Sequence, residues 1–119
     1  MDIPTQTHLT TLRNLLTYRL RELQADLRAA DDTRTSHVAR DVTDRRDEAA
    51  RLLMEEVDVA EEERERVEIE AVQRALERLD AGAYGDCASC GEPIPLPRLL
   101  AQPAAERCVA CQAAFEHHA

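Results

Sequence analysis

The stretch Cys87-Ala88-Ser89-Cys90-Gly91 is answered, 17 residues after Cys90, by Cys108-Val109-Ala110-Cys111, and the two pairs hold all four cysteines of the chain. A tetrahedral four-thiolate zinc site requires this arrangement. Each pair supplies one edge of the tetrahedron, and the loop between them turns the chain back to supply the other. Gly91 follows the first pair, where a metal knuckle needs unrestricted backbone. Disulfides and redox-active CxxC motifs are the competing readings. Neither pair is framed by a βαβ pattern and nothing marks the chain for export, so one structural Zn2+ on Cys87, Cys90, Cys108 and Cys111 is expected. With four protein ligands the site is closed, so the metal holds the fold and performs no chemistry.

Upstream, apolar residues recur at helical spacing. Leu9, Leu16, Leu23 and Ala30 lie seven apart, with Leu12, Leu20 and Leu27 on the same side. This predicts a helix over about 7–38, weakened by the polar run Asp31-Asp32-Thr33-Arg34-Thr35-Ser36. A second helix is predicted over about 47–80, where Leu53, Val57, Ala60, Arg64, Val67 and Ala71 alternate spacings of four and three. Val72, Leu76 and Leu79 continue that stripe after a slight rotation, and the run Glu61 to Arg66 reads as its solvated outside. Gly82 follows as a C-terminal cap. Complementary stripes joined by a short connection predict an antiparallel coiled-coil hairpin. The fold class is therefore mainly α. A hairpin over 1–82, with its tip at about 39–47, precedes a zinc module with a short C-terminal helix over 83–119. Thirty helical residues rise on the order of 45 Å, so the expected molecule is a probe whose reach is its purpose.

Composition narrows the partners. Aromatic residues make up 3% of the chain, which suits a thin helical seam better than a thick core. A net charge of −9 with no basic run disfavours sequence-specific DNA binding by the chain itself. No stretch approaches the ~18 consecutive apolar residues of a membrane span. A cytoplasmic protein, expected to be a monomer, is the reading. No phosphate-binding glycine loop and no nucleophile with a nearby base is present, so an enzyme is not expected. His8, His37, His117 and His118 are scattered or terminal.

The predicted tip reads Asp41-Val42-Thr43-Asp44-Arg45-Arg46-Asp47-Glu48-Ala49. Asp44 can cap the second helix, and Asp47 and Glu48 favour its first turn through the helix dipole. A capped start is also rigid, so the same acids can be presented at the end of a probe. Downstream, Leu79-Asp80-Ala81-Gly82-Ala83-Tyr84-Gly85 precedes the first pair. Gly91-Glu92-x-Ile94, Arg98-Leu99, Pro103 and Cys108-Val109-x-Cys111 follow in order. In these elements the chain resembles the DksA/TraR family of bacterial transcription factors, whose type protein carries a DxxDxA tip motif. Asp44-x2-Asp47-x-Ala49 stands at a similar distance from the first cysteine.

The resemblance implies a regulator that binds RNA polymerase directly. Its coiled coil would enter the secondary channel and bring Asp44, Asp47 and Ala49 near the active centre, destabilising promoter complexes, with Arg98 as a contact on the channel rim. Departures from the family matter. The chain is shorter than the type protein at its N-terminus, and Arg45 and Arg46 stand between the tip aspartates where that protein has uncharged residues. The type protein joins polymerase in binding the stringent-response alarmone ppGpp through basic residues, and the matching positions here are Ala71, Gln102 and Gln112. Little or no ppGpp dependence is expected. The alternatives are a Gre-like transcript-cleavage factor using the tip carboxylates on Mg2+, and a zinc-stabilised adaptor for another protein. A third reading, redox sensing by the thiolates, can be layered onto the main function.

Overall fold

The computed structural model describes residues 4–37 and 45–118. Two long helices dominate, α1 (Gln6–His37) and α2 (Arg45–Ala81), followed by the short α3 (Leu96–Ala101) and α4 (Val109–His118). The protein is mainly α, with α1 and α2 packed as an antiparallel hairpin and the four cysteines gathered near the C-terminus. Both long helices begin and end within a few residues of the positions read from the sequence. The polar run after Ala30 does not end α1, which continues to His37. Of the predicted tip at about 39–47, residues 39–44, Asp44 among them, lie outside the described residues.

Local chemistry explains the element ends. Thr5 caps α1, its hydroxyl accepting the backbone N–H of His8 at 3.4 Å. The His8 ring returns the favour, its Nδ1 accepting the Thr5 N–H at 3.1 Å. This is a capping box with an imidazole standing where glutamate is usual. At the other end of the hairpin, Gly82 adopts a φ of 72°. Only that left-handed turn lets the Ala83 N–H reach back to the Arg78 carbonyl at 2.8 Å and close α2.

The chain divides into two compact units, Met1–Leu20 with Glu70–Ala119, and Arg21–Ile69. In the first, Leu12 and Leu16 of α1 and Val72 and Ala75 of α2 are buried. Leu12 also joins Cys87, Ile94 and Leu99 in one apolar cluster, against which Tyr84, Cys108 and Cys111 pack. The helical hairpin and the cysteine module therefore share a core here. Fully burying a leucine such as Leu12 contributes roughly 1.5–3 kcal/mol.

In the second unit, the buried residues among those described are Leu23 of α1 and Glu62 of α2. The stripe Leu53, Val57, Ala60, Arg64 and Val67 does not form the seam there: Leu53, Val57 and Val67 are 64%, 52% and 54% exposed. The buried side of α2 instead runs through Glu62, with Glu65, Glu68 and Ile69 half-buried, and continues into Val72. Glu62, read from the sequence as part of a solvated outside, sits on the inside. Between Leu27 and its end at His37, α1 holds no large apolar residue for a leucine and valine stripe to pack against. No helix among the described residues is long and apolar enough to cross a membrane.

Candidate metal centre and its clamp

Two different local structures deliver the cysteine pairs. Cys87 and Cys90 ride on a tight hairpin in which Asp86 and Pro93 form an antiparallel bridge. The Cys87 N–H donates to the Glu92 carbonyl at 2.8 Å and the Ile94 N–H to the Gly85 carbonyl at 2.7 Å. Gly91 closes the knuckle at a φ of 78°, and its N–H donates to the Cys87 carbonyl at 2.9 Å. Cys108 and Cys111 use a helix start instead. Cys108 immediately precedes α4 and its carbonyl accepts the Gln112 N–H at 2.9 Å, so Cys111, three residues on, falls on the same side. Between them Pro95 opens α3, with Pro97 in its first turn where the missing N–H is not needed, and this turn buries Leu99.

The four sulfurs converge, all within 4.8 Å of one another. At a Zn–S distance of about 2.3 Å, a tetrahedral ion holds its four sulfurs about 3.8 Å apart, so the cage needs only slight contraction. Electrostatics make the same point. Backbone hydrogen bonds, that of Cys90 first and then those of Cys108 and Ser89, lower the Cys87 thiol to about 6. The sulfurs of Cys108, Cys87 and Cys90 push Cys111 up to about 12, and Cys90 is raised as well. Cys87 therefore ionises readily, while the contacts of Cys111 with the neighbouring sulfurs favour its protonated form. Four can ionise together only around a cation, so the donor set fits zinc.

The module is bound to the hairpin by Glu106, two residues before Cys108. Its carbonyl accepts the N–H of Ala88, inside the first pair, at 2.7 Å. Its carboxylate reaches α2, accepting a short hydrogen bond from Arg74 Nε and another from an Arg78 guanidinium nitrogen at 3.2 Å. Burial alone would raise this carboxyl, but Arg74 and Arg78 outweigh it and hold it below the ordinary carboxylate range. Three further contacts fasten the loop. The Tyr84 hydroxyl donates to the Pro103 carbonyl at 2.8 Å, and burial raises that phenol to about 12. Arg98 Nε donates to the Arg107 carbonyl at 2.9 Å, and Arg107 lies 3.9 Å over the Phe115 ring.

The sequence named the four cysteines, and the structure brings them together. It did not name Glu106, Arg74 or Arg78. Separations of 32 and 28 residues leave no periodic trace, and the one available hint was an acid placed just before the second pair. Of the other candidate residues, Asp47 lies in the first turn of α2 and Ala49 is exposed a few residues later. Arg98 sits half-buried on α3.

Fold and site together define a helical-hairpin protein with a four-cysteine metal module. The family model described as the prokaryotic dksA/traR C4-type zinc finger matches residues 82–117. The RNA polymerase-binding transcription factor DksA of Haemophilus influenzae is 33% identical over 84 residues, which are 68% of this chain and 58% of that protein. Its namesake in Caulobacter vibrioides is 34% identical over 93 residues, 76% of this chain and 65% of the relative. In both, the matched stretch is under two thirds of the relative's own length. The solved structure of transcription factor DksA2 from Pseudomonas aeruginosa matches at a TM-score of 0.79 and 31% identity, covering 95% of this chain and 86% of that one. The chain belongs to the DksA/TraR family, and its C4 module is a structural zinc site.

Proposed function

We propose that the chain is a transcription regulator that binds bacterial RNA polymerase directly and contributes no catalytic group of its own. The observation that carries this reading is the joint match in fold and zinc module to proteins named as polymerase-binding transcription factors. Cys87, Cys90, Cys108 and Cys111 each give one thiolate to a single zinc ion, which rigidifies the base. The tip enters the secondary channel, where Asp44, Asp47 and Ala49 meet the region of the active centre, and Arg98 of the module contacts the rim. Anionic side chains suit a centre built around cations and basic groups. Promoter complexes are destabilised as a result. The protein acts as a cytoplasmic monomer and makes no sequence-specific DNA contact of its own. Ala71, Gln102 and Gln112 offer no cation to a phosphate, and Gln112 donates to Glu116 at 3.0 Å, so ppGpp enhances the effect little or not at all.

Transcription in vitro from a ribosomal promoter tests the proposal. The wild type shortens the lifetime of promoter complexes. Asp44→Asn with Asp47→Asn keeps polymerase binding and loses that effect; full activity in the double variant would refute the tip assignment. Robust RNA release from backtracked complexes would instead favour a cleavage factor.

A further inference from the structure

The Leu53 stripe, left out of the hairpin seam, follows the spacing of a coiled coil. Placing Val57 at position a of a heptad puts Leu53, Ala60 and Val67 at d and Arg64 at the next a. In the same frame the buried Glu62 and the half-buried Ile69 fall at f, and Glu65 at b, on the opposite side of the helix. α2 thus carries two seams in its Arg21–Ile69 unit. One meets α1. The other is open to solvent, and its large residues are more than half exposed. Apolar residues scattered singly on a surface need no explanation, but a run with the period of a helix–helix seam fits one kind of occupant, another helix.

Charge selects which helix. The positions flanking the open seam are Glu56 and Glu63 at g, and the exposed Met54, Glu61 and the half-buried Glu68 at e, with no basic residue among them. Two copies of this face would set glutamate against glutamate, which opposes self-pairing and equally opposes an anionic membrane. Arg64 is the single charge within the stripe and calls for an acid across from it. We infer that the Leu53, Val57, Ala60, Arg64 and Val67 face of α2 docks an amphipathic helix of a partner protein with lysine or arginine at its flanking positions and an acid at its centre. The inference uses neither the tip nor the zinc site, so it stands or falls apart from the proposed polymerase mechanism.

A synthetic three-heptad peptide with leucine at a and d, lysine at e and g, and one seam glutamate set to meet Arg64 serves as the probe. Fluorescence anisotropy with the full zinc-loaded chain is expected to show saturable binding, and Leu53→Ser with Val57→Ser to weaken it by at least roughly tenfold. Arg64→Glu, a surface charge change that leaves the fold alone, weakens the same peptide and is rescued when the peptide's glutamate becomes lysine. A peptide with glutamate at e and g does not bind. The inference is overturned if the basic peptide fails to bind, if its affinity is indifferent to Leu53→Ser with Val57→Ser, or if the Arg64→Glu exchange shows no rescue. It is also overturned if sedimentation shows the chain dimerising through this face, which would make a second copy the occupant.

Discussion

Glu106 joins two parts of the chain that the sequence keeps far apart. Its carboxylate is mostly buried between Arg74 and Arg78, and its carbonyl is tied to Ala88 within the first knuckle. Arg74 is about half-exposed, so water screens its share of the attraction, and the better-buried Arg78 carries weight beyond its longer distance. Replacing Glu106 by Gln keeps the shape and removes the charge, and should cost about 1–2 kcal/mol in chemical denaturation of the zinc-loaded protein. The pH dependence has a definite sign. Because the arginines lower this carboxyl in the folded state, its stabilisation is complete above the unfolded value of about 4.3 and is lost as pH falls through the lower folded value. The coupling energy of a Glu106→Gln, Arg78→Ala double-mutant cycle should therefore be flat from neutral pH downward and fade only in the acid range. A cycle that weakened with rising pH would contradict the clamp.

At the scale of the element, α2 shows what periodicity can and cannot tell. That Arg45–Ala81 is helical was plain from the spacing of its apolar residues, and of the later stripe Val72 is buried with Leu76 and Leu79 half-buried, while the buried Ala75 was not read from the spacing. Which side of its first half faces α1 was not, because two stripes compete there. The one richer in Leu and Val is the exposed one. A partner helix decides the matter, and beyond Leu27 the sequence of α1 turns polar through Asp31, Asp32 and Thr33. Truncation should separate the two faces cleanly. Leu23→Ala, at a site 1% exposed, should cost about 2–4 kcal/mol, whereas Val57→Ser should stay within about 0.5 kcal/mol. Thermal or urea unfolding of both variants checks the pair. Comparable losses would place Val57 in the hairpin seam after all. The metal centre was the easier reading, since its ligands are fixed by short spacings, whereas Glu106 reaches Arg74 through a tertiary fold that no local pattern encodes.

At the scale of the molecule, zinc is a core component of the unit that contains it, because the cysteines are at once ligands and packing. Cys87 lies in the same apolar cluster as Leu12, Ile94 and Leu99, so the metal shares that core with the first helix of the hairpin. Two short helices and a single-bridge hairpin are too small to hold the loop closed alone, and four sulfurs without a cation resist ionising together. Metal removal is expected to unfold the module and to loosen what rests on it. Under a strong chelator, amide exchange should rise at Cys87, Ala88 and Ile94, whose N–H groups are bonded only through the knuckle and to Glu106. It should rise at Leu12 of α1 as well, since its buried face loses the cluster above it. Re-adding Zn2+ should restore protection at all of these positions, and proteolysis within 84–108 should follow the same reversible course. Should Ala88 and Ile94 stay protected in the metal-free chain, the hydrogen bonds and leucines would be sufficient for the module, and the zinc would be a passenger in a fold already complete.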